Sequence, residues 1–263
     1  MKKTAYIILI MTGIILTSCF QDLGQNPPFD FPEQPTPPPI GADGQMFYLS
    51  FDKDLEDYQS LMDATIVGNP TFVDGKSGKA YAGAANSYLT FDIANLAAPL
   101  TSEMTFGFWY KVNPVPDRAG ILVIGPPEAG KPVNNQNNRT SGIRIFRENA
   151  SGKQRVKANV GNGTADMWLD GAAKADLDPA TAGWVHIALV LTPTKAIFYI
   201  NGVEVAAGNF SGISWNGCDI MSIGSGAPRF NGWNHLSDNS LIDEVRIYNK
   251  ALPASEIVRL AAK

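Results

Sequence analysis

The sequence has few cysteines, few charged residues and no surplus of basic ones. Only 2 of its 263 residues are Cys, so a disulfide framework cannot hold the fold together. Charged residues make up 17% of the chain, and the net charge is -4 with an isoelectric point near 5.2. This balance argues against nucleic acid as the main partner, because phosphate binding needs a basic face.

Helical periodicity and internal repeats are also scarce. We find no repeat of about 20–50 residues, which excludes a propeller or a solenoid. What the chain does have is 25 Gly, 18 Pro and 10% aromatic residues. Many turn formers and aromatics with few charges are typical of an all-β protein.

The most apolar segment of the chain lies at its N-terminus. Lys2 and Lys3 precede an apolar run over residues 5–16, which is shorter than the roughly 20 residues of a membrane span. It fits the apolar region of a secretory signal. The Leu-Thr-Ser-Cys sequence of residues 16–19 resembles the bacterial lipobox, in which the Cys is lipidated. We therefore predict a lipoprotein signal peptide over 1–18 and lipidation at Cys19; the alternative is an ordinary signal followed by a chance Cys.

A proline-rich segment separates this signal from the rest of the chain. Seven of the 26 residues from 20 to 45 are Pro, so the segment cannot form a helix or a sheet ladder. It should be extended, at about 3 Å per residue. We predict that residues 19–45 are a lipidated Cys followed by a tether.

Short alternating segments fill the remainder. Each has apolar residues on one face and turn residues at its ends, the pattern of half-buried strands. These segments are residues 46–52, 87–92, 103–112, 120–125, 142–147, 154–160, 184–191, 195–200, 203–206, 219–224 and 241–248. The Asn201-Gly202 pair between two of them predicts a tight hairpin, and Pro253 predicts the start of a short helix. We predict that residues 46–263 form one all-β domain, a two-sheet jelly-roll sandwich with a short C-terminal helix.

Several stretches of this domain carry a specific resemblance. They are residues 47–52, 72–80, 183–188, 198–202 and 242–252. In their order and spacing they resemble the laminin-G-like, concanavalin A-like jelly-roll domains of bacterial surface proteins. With the lipobox and the tether, the chain resembles the surface glycan-capture lipoproteins of Bacteroidetes. This resemblance implies an outer-membrane lipoprotein at the cell surface, a polysaccharide or oligosaccharide ligand, and an outer-membrane glycan-uptake complex as partner.

The acidic residues do not predict catalysis. Glycoside hydrolysis needs two carboxylates that face one bond about 5–10 Å apart. Catalytic proteins with the resembled fold commonly carry a Glu-x-Asp-x-x-Glu array on one strand, and the sequence has none. It also lacks a Gly-x-Ser-x-Gly elbow, a His-Glu-x-x-His motif and a phosphate loop. We therefore expect a protein that is not an enzyme.

The residues that we expect to bind sugar are exposed indoles with polar neighbours. Sugars present flat C–H faces and hydroxyls, which aromatic rings and amide, carboxylate or guanidinium groups can meet. Trp215 and Trp233 lie among Gly, Asn and Ser in predicted loops, and Trp168 alternates with Met167 and Leu169. The segment 228–238 adds further candidates, and the Asn-rich run 134–139 is a second candidate rim. The predicted ligand-binding residues are Trp168, Trp215, Arg229, Asn231, Trp233, Asn234, His235 and Asp238.

The resemblance also implies one structural Ca²⁺, an ion that takes six to eight oxygen ligands. The positions that match the carboxylate ligands of the family are Asp52 or Asp57 and Asp243, with Glu244 as an alternative. The loop of residues 57–63 departs from the Asp-Ser-Ser-Gly-Asn sequence usual in the family.

Three functions remain open at this point. The first is a lipid-anchored lectin-like module that captures glycan at the cell envelope without catalysis. The second is a protein-interaction or adhesion module, which a contiguous apolar outer patch would favour. The third is a glycoside hydrolase with an unusual pair of carboxylates.

Overall fold

The computed structural model of the protein describes residues 44–262. The predicted signal peptide, Cys19 and the tether up to residue 43 therefore lie outside the described residues. Among residues 44–262, no helix is both long and apolar enough to cross a membrane.

The described part is built mainly of short strands, which we number along the chain. They are β1 (Gln45–Leu49), β2 (Glu56–Asp57), β3 (Met62–Asp63), β4 (Thr65–Val67), β5 (Thr71–Asp74), β6 (Lys79–Ala82), β7 (Tyr88–Asp92), β8 (Met104–Lys111), β9 (Arg118–Gly125), β10 (Ile143–Ala150), β11 (Lys153–Gly161), β12 (Asp166–Asp170), β13 (Asp176–Leu177), β14 (Trp184–Leu191), β15 (Lys195–Ile200), β16 (Val203–Asn209), β17 (Ile220–Ile223) and β18 (Leu241–Tyr248). Three short 3₁₀ turns, Ile93–Asn95, Val133–Asn135 and Ala172–Ala175, and one α-helix, α1 (Ala254–Ala261), complete the described elements.

Two large antiparallel sheets contain nearly all of these strands. The first sheet has the order β16-β15-β14-β8-β18-β6-β5, and β1 also pairs with β18. The second sheet has the order β12-β11-β10-β9-β17-β7-β4, and β13 also pairs with β11. The order along each sheet differs from the order along the chain, so the connections cross between the two layers.

The hydrophobic core lies between the two sheets. Phe47 of the first sheet meets Phe91 of the second edge to face, with 5.1 Å between ring centroids. One cluster of buried residues joins Phe106 and Phe198 of the first sheet to Ile145 of the second. The alternating pattern of the sequence produces this arrangement, because every second side chain of a strand points to the same face. The predicted all-β jelly-roll sandwich is confirmed.

Local predictions from turn residues are also confirmed. Asn201 and Gly202 both have left-handed backbone angles, with φ of 50° and 77°. They close the β15–β16 hairpin, in which Ile200 pairs with Val203. At the C-terminus, α1 begins directly after Pro253 and buries Ile257 and Leu260. These two residues pack against the outer face of the first sheet.

A buried ion pair connects the two sheets at one end of the sandwich. Asp238 lies in the segment that connects β17 of the second sheet to β18 of the first. Arg147 of β10 donates to Oδ1 of Asp238 from Nε at 3.2 Å and from Nη2 at 2.8 Å. Tyr110 of β8 donates its hydroxyl proton to Oδ2 of the same carboxylate. Ser240 adds a backbone donor at 3.0 Å and a hydroxyl donor at 2.7 Å. The carboxylate is thus fully hydrogen-bonded, as a buried charge must be.

We predict that Asp238→Ala lowers the free energy of unfolding by about 3–5 kcal/mol, because it leaves the guanidinium of Arg147 buried without its partner. Urea denaturation followed by circular dichroism measures this change. Asp74→Ala is the matched control, since Asp74 also forms an ion pair, with Lys79, but its side chain is 95% exposed. The control should unfold like the wild type; a variant of Asp238 that does so too would contradict the prediction.

Candidate functional site

The outer face of the second sheet carries a row of polar and aromatic side chains across four strands. Val123 of β9 pairs with Arg144 of β10, which pairs with Asn159 of β11, which pairs with Trp168 of β12. All four point away from the core, since the residues on either side of each one along its strand include core residues. Trp168 is exposed because β12 is the last strand of the sheet and has no neighbour on its far side.

A loop of residues 226–238 crosses this outer face. Its Phe230 is buried against Val123 and Phe146 of the sheet. The backbone amides of Asn231 and Gly232 donate to the carbonyl oxygen of Gln136, at 2.9 and 3.0 Å. The loop is therefore fixed both to the sheet and to the Asn-rich segment 134–139, which brings the two candidate rims together.

Trp168 and Trp233 meet at the edge of this loop. Their rings lie 5.9 Å apart between centroids, with only 15° between the ring planes. The guanidinium carbon of Arg139 lies 4.4 Å from the ring centroid of Trp233 and 5.6 Å from that of Trp168. After these contacts, Trp168 remains 39% exposed and Trp233 41% exposed. We call Trp168, Trp233 and Arg139 the platform.

Polar side chains hold the platform in place. Nε of Arg139 donates to Oδ2 of Asp166 at 3.0 Å. The buried Asn159 donates to the same Asp166 oxygen at 2.7 Å. In the amide orientation that satisfies both of its neighbours, Asn137 accepts from Nε1 of Trp233 at 3.3 Å and from Arg139 at 2.8 Å. An indole pair that is rigidly positioned and still open to solvent suits stacking on an apolar face of a ligand.

A second row, next to the platform, is charged. Lys157 of β11 pairs with Asp170 of β12 in the sheet, and its ammonium lies 3.0 Å from the carboxylate of Asp170 and 3.1 Å from that of Glu148. Nε2 of His235 contacts Glu148 at 3.1 Å. The hydrogen bond from His235, together with Lys157, holds the pKa of Glu148 at about 2. Burial alone would raise the pKa of Asp170. The hydrogen bonds from the Ala172 amide and from Lys157 outweigh burial, so the pKa of Asp170 is lowered.

Three predicted ligand-binding residues lie beneath the surface. Asn231 accepts from the amide of Gln136 at 2.7 Å and donates to the carbonyl of Val133 at 2.8 Å. The ring of His235 stacks on that of Phe230 at 4.5 Å. Burial keeps the pKa of His235 below its usual value, so the ring is neutral at pH 7. With Asp238 in the ion pair between the sheets, all three shape the loop and do not face solvent.

Trp215 and Arg229 are held by contacts outside the platform, and Asn234 directly follows Trp233 in the chain. Trp215 packs against Phe106 of the core, with 6.2 Å between centroids, and its Nε1 donates to the carbonyl of Thr101 at 2.7 Å. Arg229 pairs with Asp219, at 2.8 Å from Nε to Oδ1. Asn234 is exposed in a left-handed turn, with φ of 62°. Of the eight predicted residues, only Trp168 and Trp233 contribute exposed rings to the platform.

Several residues around the platform were not predicted from the sequence. Glu148, Lys157, Asp166 and Asp170 reach this face because β10, β11 and β12 are adjacent. The alternation of polar with core residues in segments such as 154–160 marks them as facing outward. It does not show which loop crosses that face, so the sequence offered no signal that they would surround the two indoles.

The four predicted calcium ligands are not assembled into one site. Within residues 44–262, no three His, Cys, Asp or Glu side chains gather as metal ligands would. Asp57 accepts from the amides of Tyr48, Gln59 and Ser60 and from the hydroxyl of Ser60. These four donors fill the lone pairs of a carboxylate, which leaves none for a cation.

Glu244 is occupied as well. Its Oε1 accepts from the hydroxyl of Tyr48 at 2.8 Å, and its Oε2 accepts from Arg246. Its backbone is left-handed, with φ of 54°, where a bulge interrupts the pairing of β18 with β8. This bulge allows Asp243 and Glu244 to serve different parts of the structure.

Asp243 and Asp52 face the same turn, which connects β5 to β6. Oδ2 of Asp243 accepts from the amides of Lys76 and Ser77 at 2.8 and 3.0 Å, and Oδ1 of Asp52 accepts from the amide of Lys79 at 2.8 Å. Oδ1 of Asp243 is buried without a hydrogen-bond partner. Burial raises the pKa of Asp243 to about 7. Among the four predicted ligands, only Asp243 and Asp52 have a carboxylate oxygen that accepts no hydrogen bond.

Comparisons with known proteins agree with this architecture. The family model described as the concanavalin A-like lectin/glucanases superfamily matches residues 83–258. No curated protein matches the sequence significantly.

Solved structures with the same fold include several binding domains. Domain 4 of AbnA, a GH43 extracellular arabinanase from Geobacillus stearothermophilus, solved in complex with arabinotriose, superposes with a TM-score of 0.61 and 23% identity over 83% of this chain and 98% of that one. The binding domain of botulinum neurotoxin serotype C1 has a TM-score of 0.59 and 14% identity over 83% and 52% of the two chains. The binding domain of botulinum neurotoxin DC in complex with SialylT has a TM-score of 0.53 and 14% identity over 84% and 51%. The chain thus spans about half of each toxin domain and nearly all of the arabinanase domain.

The calcium site stays a prediction, narrowed to Asp243 and Asp52. Calcium in hundredfold excess over its dissociation constant should stabilise the folded chain by about 2.7 kcal/mol, which is roughly 5–10 °C in melting temperature. Thermal melting of the full chain in calcium and in chelator measures this. Asp243→Asn should remove the difference, whereas Asp57→Asn, the matched control, should retain it. Equal melting temperatures of the wild type in calcium and chelator would contradict the prediction.

Proposed function

The chain belongs to the concanavalin A-like lectin/glucanase superfamily, and from that membership we propose that it is a carbohydrate-binding protein that captures glycan at the cell envelope without catalysis. The observation that carries the proposal is the platform. Two stacked indoles, each about two-fifths exposed, are fixed by Arg139 and lie among polar side chains. Exposed indoles cost solubility, so a rigid pair of them favours a binding role.

The comparisons support a carbohydrate ligand for the fold. The arabinanase domain was solved with arabinotriose and one toxin domain with SialylT. Because the same fold serves many functions, the argument for this chain depends on its own platform. Binding would combine stacking on the indoles with hydrogen bonds from the surrounding amides and carboxylates. We expect modest affinity for a single site, since little area is buried and polar groups lose water.

The charged row supports a role without catalysis. Glu148 and Asp170 are the carboxylates of the charged row, and both contact the ammonium of Lys157. A glycosidase needs one carboxyl group that stays protonated near neutral pH. Here the pKa of each carboxyl is lowered, so both are ionised and neither supplies the acid.

The protein-interaction alternative has one observation in its favour. Next to the platform, a surface depression is lined by Val115, Pro116 and Leu236, and Val115 and Leu236 are exposed. Arg118 lies at this depression and donates from Nη1 to the carbonyl of Trp233 at 2.9 Å. An apolar patch beside the platform suits a protein partner, although it lacks the flat rings that suit a sugar.

We further propose that the protein is an outer-membrane lipoprotein at the cell surface, anchored through Cys19, and that it works with an outer-membrane glycan-uptake complex. The order of basic residues, apolar run and lipobox-like Cys in residues 2–19 supports the anchor. The proline-rich tether would hold the binding domain away from the membrane.

The indoles should account for binding. We predict that Trp233→Ala and Trp168→Ala each weaken binding of the full-length chain to its glycan at least tenfold, about 1.4 kcal/mol, because each removes half of the stacking surface. Native gel retardation against a panel of polysaccharides measures the affinity. Phe72→Ala is the matched control, since Phe72 of β5 is an aromatic residue of similar exposure, 42%, on the other sheet. Retardation of both Trp variants equal to that of the wild type would place the site elsewhere.

The anchor can be tested separately. We predict that Cys19→Ala abolishes incorporation of labelled fatty acid and moves the full-length chain from the membrane to the soluble fraction, because the thiol that carries the lipid is lost. Expression in a bacterial host that processes lipoproteins, followed by fractionation, measures both effects. Cys218→Ala, at the only other Cys of the chain, should retain the label. Labelling that persists in the Cys19 variant would refute the anchor.

A further inference from the structure

The charges around the platform are balanced within the protein. Four cations, Arg118, Arg139, Arg155 and Lys157, lie beside four carboxylates, Glu148, Asp166, Asp170 and Asp176. Arg155 contacts Asp176 at 2.5 Å and lies 3.7 Å from Asp170. Arg139 contacts Asp166 at 3.0 Å, and Lys157 contacts Glu148 and Asp170 at 3.1 and 3.0 Å. Arg118 lies 3.8 Å from Glu148 and also donates to the carbonyl of Trp233. Each cation thus has a carboxylate of the protein as its partner.

Two further cations on this face, Arg144 and Lys153, are not available to a ligand at the platform. Arg144 lies in the same row as Trp168, but its side chain is fully buried and donates to the carbonyls of residues 138 and 139. It cannot touch a ligand on the surface. Lys153 is exposed and lies on the same face of β11, six residues from Asn159 in the row of Trp168. At about 3.3 Å per residue this is about 20 Å, beyond the roughly 8 Å over which physiological salt screens charges.

This pairing disfavours an anionic ligand. A carboxylate or sulfate group on the glycan would need a cation that is free to receive it. Here it would have to separate an existing ion pair, and it would meet the remaining carboxylates at close range. Like charges brought together in this way cost affinity, and the loss of water from the ligand would not be repaid.

The same paired carboxylates and cations can form hydrogen bonds with the hydroxyl groups of an uncharged sugar. A carboxylate in an ion pair retains lone pairs, and the ammonium of Lys157 has three donors. A sugar hydroxyl both donates and accepts, so it can join an ion pair without separating it. The ring of the sugar would then lie on the indoles while its hydroxyls reach the charged row.

We propose that the platform selects uncharged glycans, through side-chain charges that are neutralised within the protein. This inference rests on the carbohydrate-binding function proposed above and narrows its ligand to neutral polysaccharide or oligosaccharide. It also requires that binding depends little on salt, since no ion pair forms between the protein and the ligand.

The test compares neutral and acidic polysaccharides on the same protein. The full-length chain in detergent is run in native gels containing arabinan, galactan, xylan or mannan, and in gels containing polygalacturonate, alginate or heparin. We expect retardation by at least one neutral polymer, with a dissociation constant that changes less than about twofold between about 50 and 500 mM salt. No acidic polymer should retard the wild type.

The second part of the experiment uses variants that remove carboxylates near the platform and leave its cations in excess. Asp166→Asn combined with Asp170→Asn leaves Arg139 without its carboxylate and Lys157 with one instead of two. This variant should gain retardation by acidic polymers, at least about tenfold above the wild type and lost in high salt. Asp74→Asn is the matched control, because it frees Lys79 on the other sheet in the same way and should gain nothing. The comparison of polymers on the wild type tests the inference even if the double variant does not fold.

The outcomes separate the inference from the function beneath it. Binding of an acidic polymer by the wild type, abolished by Trp233→Ala, would overturn charge selection and leave the carbohydrate-binding function in place. Binding of a neutral polymer only, abolished by Trp233→Ala, supports both. If no polymer of either kind binds in a manner that depends on Trp233, the proposed function fails and the inference fails with it.

Discussion

The buried ion pair between Arg147 and Asp238 is the constraint on which the rest of this face depends. It joins the second sheet to the end of the loop 226–238, and Tyr110 extends it to the first sheet. Since an unpaired buried charge is costly, the end of the loop has one stable position. Phe230 fixes the middle of the loop against the sheet. Trp233 is therefore held beside Trp168 by interactions beneath the surface, and this preorganisation spares a ligand the cost of ordering the loop.

The fold could be predicted from the sequence because its signals are local. The alternation of residues 104–112 and the Asn201-Gly202 turn each specify a short element, and each element formed as expected. The site depends on which distant segments meet, and local patterns do not record that. Trp215 and Trp233 both lie among Gly, Asn and Ser in the sequence. One packs on the core and the other is exposed, because only the second lies in a loop that crosses a sheet. Asp57 illustrates the same limit, since the amide of Tyr48 in β1 is one of the four donors that occupy its carboxylate.

The fold of this protein does not determine its ligand, whereas the side chains on one face of the second sheet bear on it directly. The sandwich of sheets is common to an arabinanase domain and to toxin binding domains at identities of 23% or less, so it specifies no ligand. The argument for a ligand of this chain rests on the outer face of β10, β11 and β12, where indoles and mutually paired charges lie together. The lowered pKa values of Glu148 and Asp170 follow from that pairing. The same arrangement of charge keeps Glu148 and Asp170 ionised and is the basis of the proposed preference for neutral sugars.

The two indoles have different origins, one in an edge strand and the other in a loop. Trp168 is part of the sheet and cannot move without disturbing β12, whereas Trp233 lies in a loop that Phe230, Asn231 and His235 hold from below. Within residues 226–238, only Trp233, Asn234 and Leu236 are exposed. Gene duplication followed by drift at these three positions would alter the surface offered to a ligand and leave the buried contacts of the loop in place, and laboratory libraries confined to the same positions would explore that diversity directly.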